Sequence, residues 1–533
     1  MSKGTLVTLQ DHQIQHYNDI RRILSRSYFH IDTSLMGTGK TFVTTRLWQD
    51  SAMPRILIIG PASVAGVWAQ VMKDYRISPT LMMYISMDTL SKGGTSQPML
   101  TRFSYENKDD LPEETGETAT FVAAKKGELY VPTPLLKQWI RDGCFVVLDE
   151  VQNFKNTSNR HHAVRCIIKN LYFYDNLVNG MMTSRLALLS GTLTDKEETV
   201  INYMRLLGVV TDRALGRRLR GGGGVVYEGL QQMIDFCRRF SATETEEALI
   251  RANDETDRAD FVKILYILYR EVFQKYVVSS MGKVASEFEP DLGNGFYIAE
   301  QAEQNAIRNA LVEAEEAVEP GVDGRIDLGA FNAQLQIIEK SKVNIVVRHA
   351  YNILTNPRKP HAKVVLSFNY LASIEDAVRR LGAMLPHIKP IVLNGSVTPE
   401  RRSALVASFQ MPTDEFRLII ANMKVISVGL SLDDRDGRFP RYAFGSPSYH
   451  VMDMQQWTYR FTRSQTKSQA VVRFVYESNS AETEVSLLEK IAYKSGVLAD
   501  TNVAQVEGGV LFPSQFETFH EAPGVGNQDV RIM

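Results

Sequence analysis

Seven short runs rich in Val, Ile and Leu constrain the fold of this chain more than any other feature. They read "RILIIGP" (55–61), "CFVVLDE" (144–150), "RLALLSGT" (185–192), "KVVLSFN" (363–369), "PIVLNGS" (390–396), "RLIIANM" (417–423) and "AVVRFVY" (470–476). Each ends in a polar or Gly-containing turn. Successive side chains on a strand point to opposite faces, so a run that is apolar throughout must be covered on both. Parallel sheets layered with helices provide that environment. Helical patterns do stand between the runs, for example "SIEDAVRRLGAML" (373–385) and "PERRSALVASFQ" (399–410). The alternation predicts α/β architecture.

The runs fall into two groups, one on each side of a stretch of different character. Residues 221–224 are "GGGG", which holds regular structure only at a cost. Residues 228–280 read as helical, and 284–328 are acidic and broken by Gly and Pro. The expected organisation is an N-terminal lobe over 1–212, a helical insert and acidic linker over 213–335, a C-terminal lobe over 336–480 and a tail over 481–533. A length of 533 residues accommodates several such units. The stretch "YENKDDLPEETGET" (105–118) reads as an exposed loop within the first lobe.

Three places carry chemistry. "SLMGTGKT" (34–41) offers Gly37, Thr38, Gly39, Lys40 and Thr41 just before a helical segment, "TFVTTRLWQD". Glycines let backbone N–H groups approach phosphates, a lysine reaches their oxygens, and a Thr hydroxyl holds Mg²⁺. A Gly-rich turn before an ordinary helix would look the same. "CFVVLDEVQNFKN" delivers Asp149 and Glu150 at the end of a strand, where ligands bind in open α/β sheets. Asp149 suits a metal shell and Glu150 an attacking water; the bland alternative is a pair that caps the next turn. "QQWTYRFTRSQTK" places Arg460 and Arg463 three apart, with Gln456 four before Arg460, so that on a helix they share a face. Such a face supplies charge to a departing phosphoryl group, or is merely solvated.

Together these segments resemble superfamily 2 helicase-type motors of the Swi2/Snf2-like group, which includes the nucleoside triphosphatase I type of large DNA viruses. "LQDHQ" (9–13) is similar to the adenine-reading motif and implies that Gln13 meets the base. "LMGTGKT" is similar to the phosphate loop "EMGLGKT", in which the position of Ser34 is commonly acidic or small. "ILIIGPASVAGVWAQVMKDY", with Trp68, and "YISMDTL" (84–90) resemble motifs Ia and Ib. "DEVQNFKN" resembles the D-E-x-H/Q-x-x-K-N box, and "LLSGTL" (188–193) resembles motif III. "VVLSFNY", "NGSVTPERRSALVASF" and "SVGLSL" (427–432) follow in the family's order, and Gln456, Arg460 and Arg463 fall on motif VI. Leu193, the run "VISVGLSLDD", Tyr459 and Trp457 depart from the pattern.

The resemblance implies two RecA-like parallel-sheet lobes in tandem with a mostly helical insert, hydrolysing ATP with Mg²⁺ between them. Thr41 and Asp149 would hold the metal, Gly429 would join the nucleotide contacts, and Glu150, Gln456, Arg460 and Arg463 would be catalytic. Nucleic-acid phosphates would meet the turns at Ser63, Ser86, Ser190, Thr192, Ser367, Asn394, Ser396 and Ser427. The expected activity is translocation along DNA, duplex favoured. Alternatives are a strand-separating DNA or RNA helicase, or a weakly active packaging component. Lys and Arg number 60 against 61 Asp and Glu, so any basic groove is local. The basic "RALGRRLR" (213–220) is a candidate for one. "NRHH" (159–162) lacks the spacing of a zinc site. Three cysteines without framework spacing fit a reducing compartment. With no apolar leader and no uninterrupted apolar span, a soluble protein of nucleus or cytoplasm is expected, and a place inside a virus particle fits equally. No recognition module is apparent, so protein partners are expected to direct it.

Overall fold

A computed structural model describes residues 2–477 except 95–96, 108–110, 112–119, 125–126, 175–182, 212–217, 222–223, 256–260, 282–287, 289, 319–327 and 464, and beyond them 491, 493–494, 497 and 519–520. The chain divides into two compact units, Met1–Val284 with Val497–Gly509, and Ala285–Gly496 with Val510–Met533.

In the first unit, six parallel strands form one sheet: β1 Phe29–Asp32, β2 Arg55–Gly60, β3 Met82–Ser86, β4 Cys144–Asp149, β5 Arg185–Leu189 and β6 Val278–Ser279. Their order across the sheet is β6-β1-β5-β4-β2-β3. Register aligns three strand ends, because Asp32 and Asp149 both lie beside Leu189. Leu57, Ile59, Val146, Leu148, Leu186 and Leu188 form the centre of the core. Packed into the same core are Met233, Leu265, Val272 and Phe273, from the helical segments Glu228–Arg238 and Phe261–Val277. A small antiparallel sheet, Leu100–Ser104, Val122–Ala124 and Glu128–Pro132, stands on either side of the acidic stretch at 105–118, most of which lies outside the described residues.

Seven parallel strands make the sheet of the second unit: β7 Asp291–Tyr297, β8 Lys363–Phe368, β9 Ile391–Leu393, β10 Leu418–Asn422, β11 Arg441–Gly445, β12 Val471–Glu477 and β13 Phe519–His520. They run β9-β10-β8-β11-β12-β7-β13. Val364, Leu366, Leu418 and Ile420 pack against Ile374, Ala377 and Leu381 of the helix Leu371–Met384 and against Val343 and Val347 of the helix Leu328–Thr355. The fold is thus α/β with two RecA-like parallel sheets, as the sequence predicts. The stretch 213–335 contributes to both units, since β6 extends the first sheet and β7 the second.

All seven apolar runs are strands. Of the four glycines, expected to interrupt regular structure, Gly221 and Gly224 instead pair across two antiparallel strands, Arg218–Gly221 and Gly224–Tyr227, and Gly222 and Gly223 lie outside the described residues. The basic residues 213–217 lie outside the described residues, as does most of the tail 481–533. No helix among the described residues is long and apolar enough to cross a membrane.

Burial of three histidines has a measurable consequence. His30 on β1, His161 and His349 are each pushed down to about 4 by burial. The unfolded chain therefore binds more protons than the folded one between about pH 6.5 and 4. Stability falls as pH drops through that window, by roughly 3 kcal/mol for each histidine. His349 stacks on Phe444 with ring centroids 5.4 Å apart, so His349→Phe keeps the packing and removes the titration. The expected result is a shallower loss of Tm between pH 6.5 and 4 in that variant, read by thermal melts.

Candidate active site

The first strand ends in a turn that leads directly into a helix. After Asp32 the chain runs through Ser34–Gly39 and enters α2, Lys40–Asp50, with Gly39 at φ +96° as N-cap. At that φ an L side chain is strained, and a Cβ at Gly39 would also lie 2.0 Å from Gln13 Nε2 and displace it. Gln13 belongs to α1, Asp11–Leu24, and its Nε2 donates to Thr38 O at 3.0 Å while its Oε1 accepts from Gln10 N. The predicted base reader thus also braces the loop. Lys40 Nζ donates to Ser34 O at 2.7 Å and Leu35 O at 3.1 Å, lying across the turn. Thr41 follows it in the first turn of α2, beside the helix N-terminus that favours anions.

Beneath the loop is a buried polar knot that the sequence does not announce. Asp32 Oδ2 lies 3.0 Å from His16 Nε2, and Asp32 Oδ1 accepts from Ser34 N at 2.9 Å. His16, hydrogen bonding and Lys40 hold the Asp32 carboxyl well below the usual range, against burial, which acts first and in the opposite direction. Ser34 Oγ in turn accepts from Met281 N at 2.7 Å. Ser34, at a position that is commonly acidic or small in the resembling loop, is therefore a fully buried bracket between loop and sheet edge.

Two strands away, β4 ends at Asp149, and Glu150 turns the chain at φ +55°. A left-handed conformation in a non-glycine residue is strained, and such strain clusters at functional sites. Asp149 is raised above the ordinary carboxylate range by burial and by its neighbour Glu150. Its Oδ2 accepts from Trp68 Nε1 at 2.8 Å. Glu150 Oε2 accepts from Gln152 Nε2 at 2.6 Å, and Ser190 Oγ donates to Gln152 Oε1 at 2.7 Å. Ser190 Oγ also accepts from Thr192 N at 2.9 Å. A continuous hydrogen-bonded chain thus joins the carboxylate after β4 to the turn after β5. Lys155 reinforces it through an ion pair with Asp195 at 2.6 Å. Gln152, Lys155 and Asn156 were legible as part of the eight-residue box, whereas no sequence signal marks Asp195.

In the second unit, Gln456 lies on α4, defined here as Val451–Thr458. The expectation that Arg460 and Arg463 share a helical face with it is corrected, because the helix stops at Thr458. The physical reason lies in the contacts past that point. Leu432 N donates to Arg460 O at 2.7 Å, and the Arg460 guanidinium donates to Ser427 O and, at 3.1 Å, to Leu430 O. Arg463 donates to Tyr459 O at 2.5 Å and Ser431 Oγ at 3.3 Å, and burial pushes it down to about 10. Both arginines therefore hold the 427–431 segment, in which Gly429 sits at φ +73°. Trp457, fully buried, packs on Phe461 and Phe474.

The expected nucleic-acid contacts divide by exposure. Ser63, Ser86, Asn394 and Ser396 are partly or fully accessible. Ser190, Thr192, Ser367 and Ser427 are buried, and Ser190 and Ser427 spend their hydroxyls on Gln152 and Lys424 O. Ser86 caps the helix Met87–Lys92 by accepting from Thr89 N, so its hydroxyl already has structural work.

No protein-family model matches the chain. Over 511 residues it is 20% identical to "Putative ATP-dependent RNA helicase L364" of Acanthamoeba polyphaga mimivirus, covering 95% of this chain and 86% of that protein. Two Sulfolobus solfataricus structures are similar at lower identity. One is a SWI2/SNF2 ATPase core in complex with dsDNA (13% identity, 94% and 96% coverage, TM-score 0.31), and the other is the core domain (14%, 92% and 89%, TM-score 0.32). The order of its motifs resembles that of superfamily 2 helicase-type motors of the Swi2/Snf2-like group, and its two parallel α/β sheets fit that resemblance.

Proposed function

We propose that this chain hydrolyses ATP and uses the cycle to move along duplex DNA. The observation that carries the proposal is the Glu150–Gln152–Ser190 chain, which ties a hydrolytic carboxylate to the turn of a neighbouring strand. A phosphotransferase has no need of that mechanical link, whereas a motor does. The loop N–H groups and Lys40 bind the phosphates, with the Lys40 ammonium exchanging two carbonyls for phosphate oxygens. Thr41 and Asp149 fit Mg²⁺: a hydroxyl at a helix start and a buried carboxyl beside a second carboxyl form a hard-oxygen set with negative charge in excess. When bound, the ion would neutralise phosphate charge. Glu150 orients the attacking water and accepts its proton, while Gln152 fixes the carboxylate. Gln456, Arg460 and Arg463 serve the departing phosphoryl group. Gln13 and Gly429 complete the nucleotide contacts.

Phosphates of the duplex are gripped at the accessible turns of Ser63, Ser86, Asn394 and Ser396, which makes binding sequence-independent and salt-sensitive. Targeting inside the cell falls to protein partners. The deciding experiment measures ATP turnover with single-stranded DNA, duplex DNA and RNA at two salt concentrations. Duplex DNA is expected to stimulate most, and the effect to fade at the higher salt. Absence of stimulation by every nucleic acid overturns the proposal. The name of the mimiviral relative favours a second reading, an RNA helicase; stimulation by RNA above duplex DNA, with separation of RNA hybrids, would establish that instead.

A further inference from the structure

We propose that Trp68 is a positioning residue for the metal-binding carboxylate, its indole N–H fixing the direction in which Asp149 presents its second oxygen. A buried indole normally finds a hydrogen-bond acceptor, and a backbone carbonyl is the ordinary choice. Here the acceptor is Asp149 Oδ2 at 2.8 Å, and Trp68 is fully buried. The donor is rigidly carried. Trp68 sits in the first turn of α3, Ala65–Asp74, directly after the 3-10 turn Ala62–Val64 that follows β2. The neighbouring strand closes the other side. A Cβ at Gly60 would meet Tyr84 Oη at 2.9 Å and Asp149 Cβ at 3.2 Å, and Tyr84 Oη donates to Pro61 O at 2.5 Å. The Asp149 side chain is therefore confined at its Cβ by β2 and pinned at one oxygen by Trp68. With Oδ2 taken by the indole and the carboxyl also accepting from the Glu150 backbone N–H, the direction in which the group meets a cation is fixed.

Partners behind a ligand set the orientation of the ligand, and their loss typically weakens metal binding by about 10- to 100-fold. The inference rests on the reading of Asp149 as the Mg²⁺ residue. It also gives Trp68 a role that packing alone does not require, since a Phe of similar bulk would fill most of the same space.

The test separates the N–H from the ring. β-(3-Benzothienyl)alanine at position 68 of the full chain keeps the bicyclic shape and replaces the N–H by sulfur. Binding of a fluorescent ADP analogue is followed by anisotropy while MgCl₂ is titrated, alongside Trp68→Phe and Asp149→Asn. The expected result is a rise of about tenfold in the Mg²⁺ concentration that half-maximally tightens the nucleotide. Mg²⁺-free nucleotide affinity and Tm of the benzothienyl protein should stay at the wild-type values. An unchanged Mg²⁺ midpoint in that protein overturns the role of Trp68 and leaves Asp149 as it was. If Asp149→Asn keeps the full Mg²⁺ response, the underlying assignment of Asp149 falls, and the role of Trp68 with it.

Discussion

Replacing Glu150 by Gln is expected to lower ATP turnover by about 10²- to 10⁴-fold and to leave nucleotide affinity near the wild-type value. The carboxylate follows β4 in a left-handed turn, at φ 55° and ψ 54°, which sets it apart from the buried strand interior. It accepts from Gln152 Nε2, so its lone pairs are directed by a neighbour itself held by Ser190. A Gln amide preserves the volume and one acceptor but cannot take a proton from water. The proposed phosphate contacts, by contrast, come from the loop after β1 and from Lys40 at the start of α2. Binding of ATP should therefore survive in Glu150→Gln and be lost in Lys40→Ala. Steady-state phosphate release and nucleotide titration check the two arms. Turnover within a few-fold of wild type in Glu150→Gln would remove Glu150 from the chemistry and favour the weakly active packaging reading.

Several of the parallel-sheet strands absent from the seven runs differ from most of those in them in one physical respect. "RILIIG", "CFVVLD" and "LIIAN" are almost wholly apolar, and burial on both faces leaves that signature. β1 reads "FHID", β11 "RYAFG" and β7 "DLGNGFY". Several of their polar residues are held by partners outside the strand. His16 meets Asp32. Arg441 donates to Leu432 O, Phe439 O, Asp433 O and Gln410 Oε1. Periodicity cannot see such compensation. The site shows the same division. Lys40, Asp149 and Glu150 were legible because each lies in a short contiguous motif at a strand end. Trp68 carried only a motif position, and its bond to Asp149 spans 81 residues. The helical placement of Arg460 and Arg463 failed for a related reason: the spacing of three fits a helix, but backbone bonds to the 427–432 segment end it first.

Arg460→Ala is expected to lower kcat by roughly 10³-fold or more, the scale of an arginine that stabilises a departing phosphoryl group. It should also cost stability, and the two losses can be told apart. Arg460 is 4% exposed and donates to the buried Ser427 O and the half-buried Leu430 O, so truncation leaves both carbonyls without this donor. Each such group costs about 1–3 kcal/mol. A purely structural arginine would then show a kcat loss no larger than the unfolded fraction at the assay temperature, and cooling would restore activity. An arginine acting on the phosphate loses turnover at every temperature at which the protein is folded. Arg460→Lys sharpens the distinction, since a single ammonium keeps the charge but cannot bridge two carbonyls in a planar fork. In the structural case Lys recovers little of either quantity. In the catalytic case Tm falls while a part of the rate returns, because charge near the phosphate counts even without the fork. Thermal melts and kcat measured on the same three proteins decide between them.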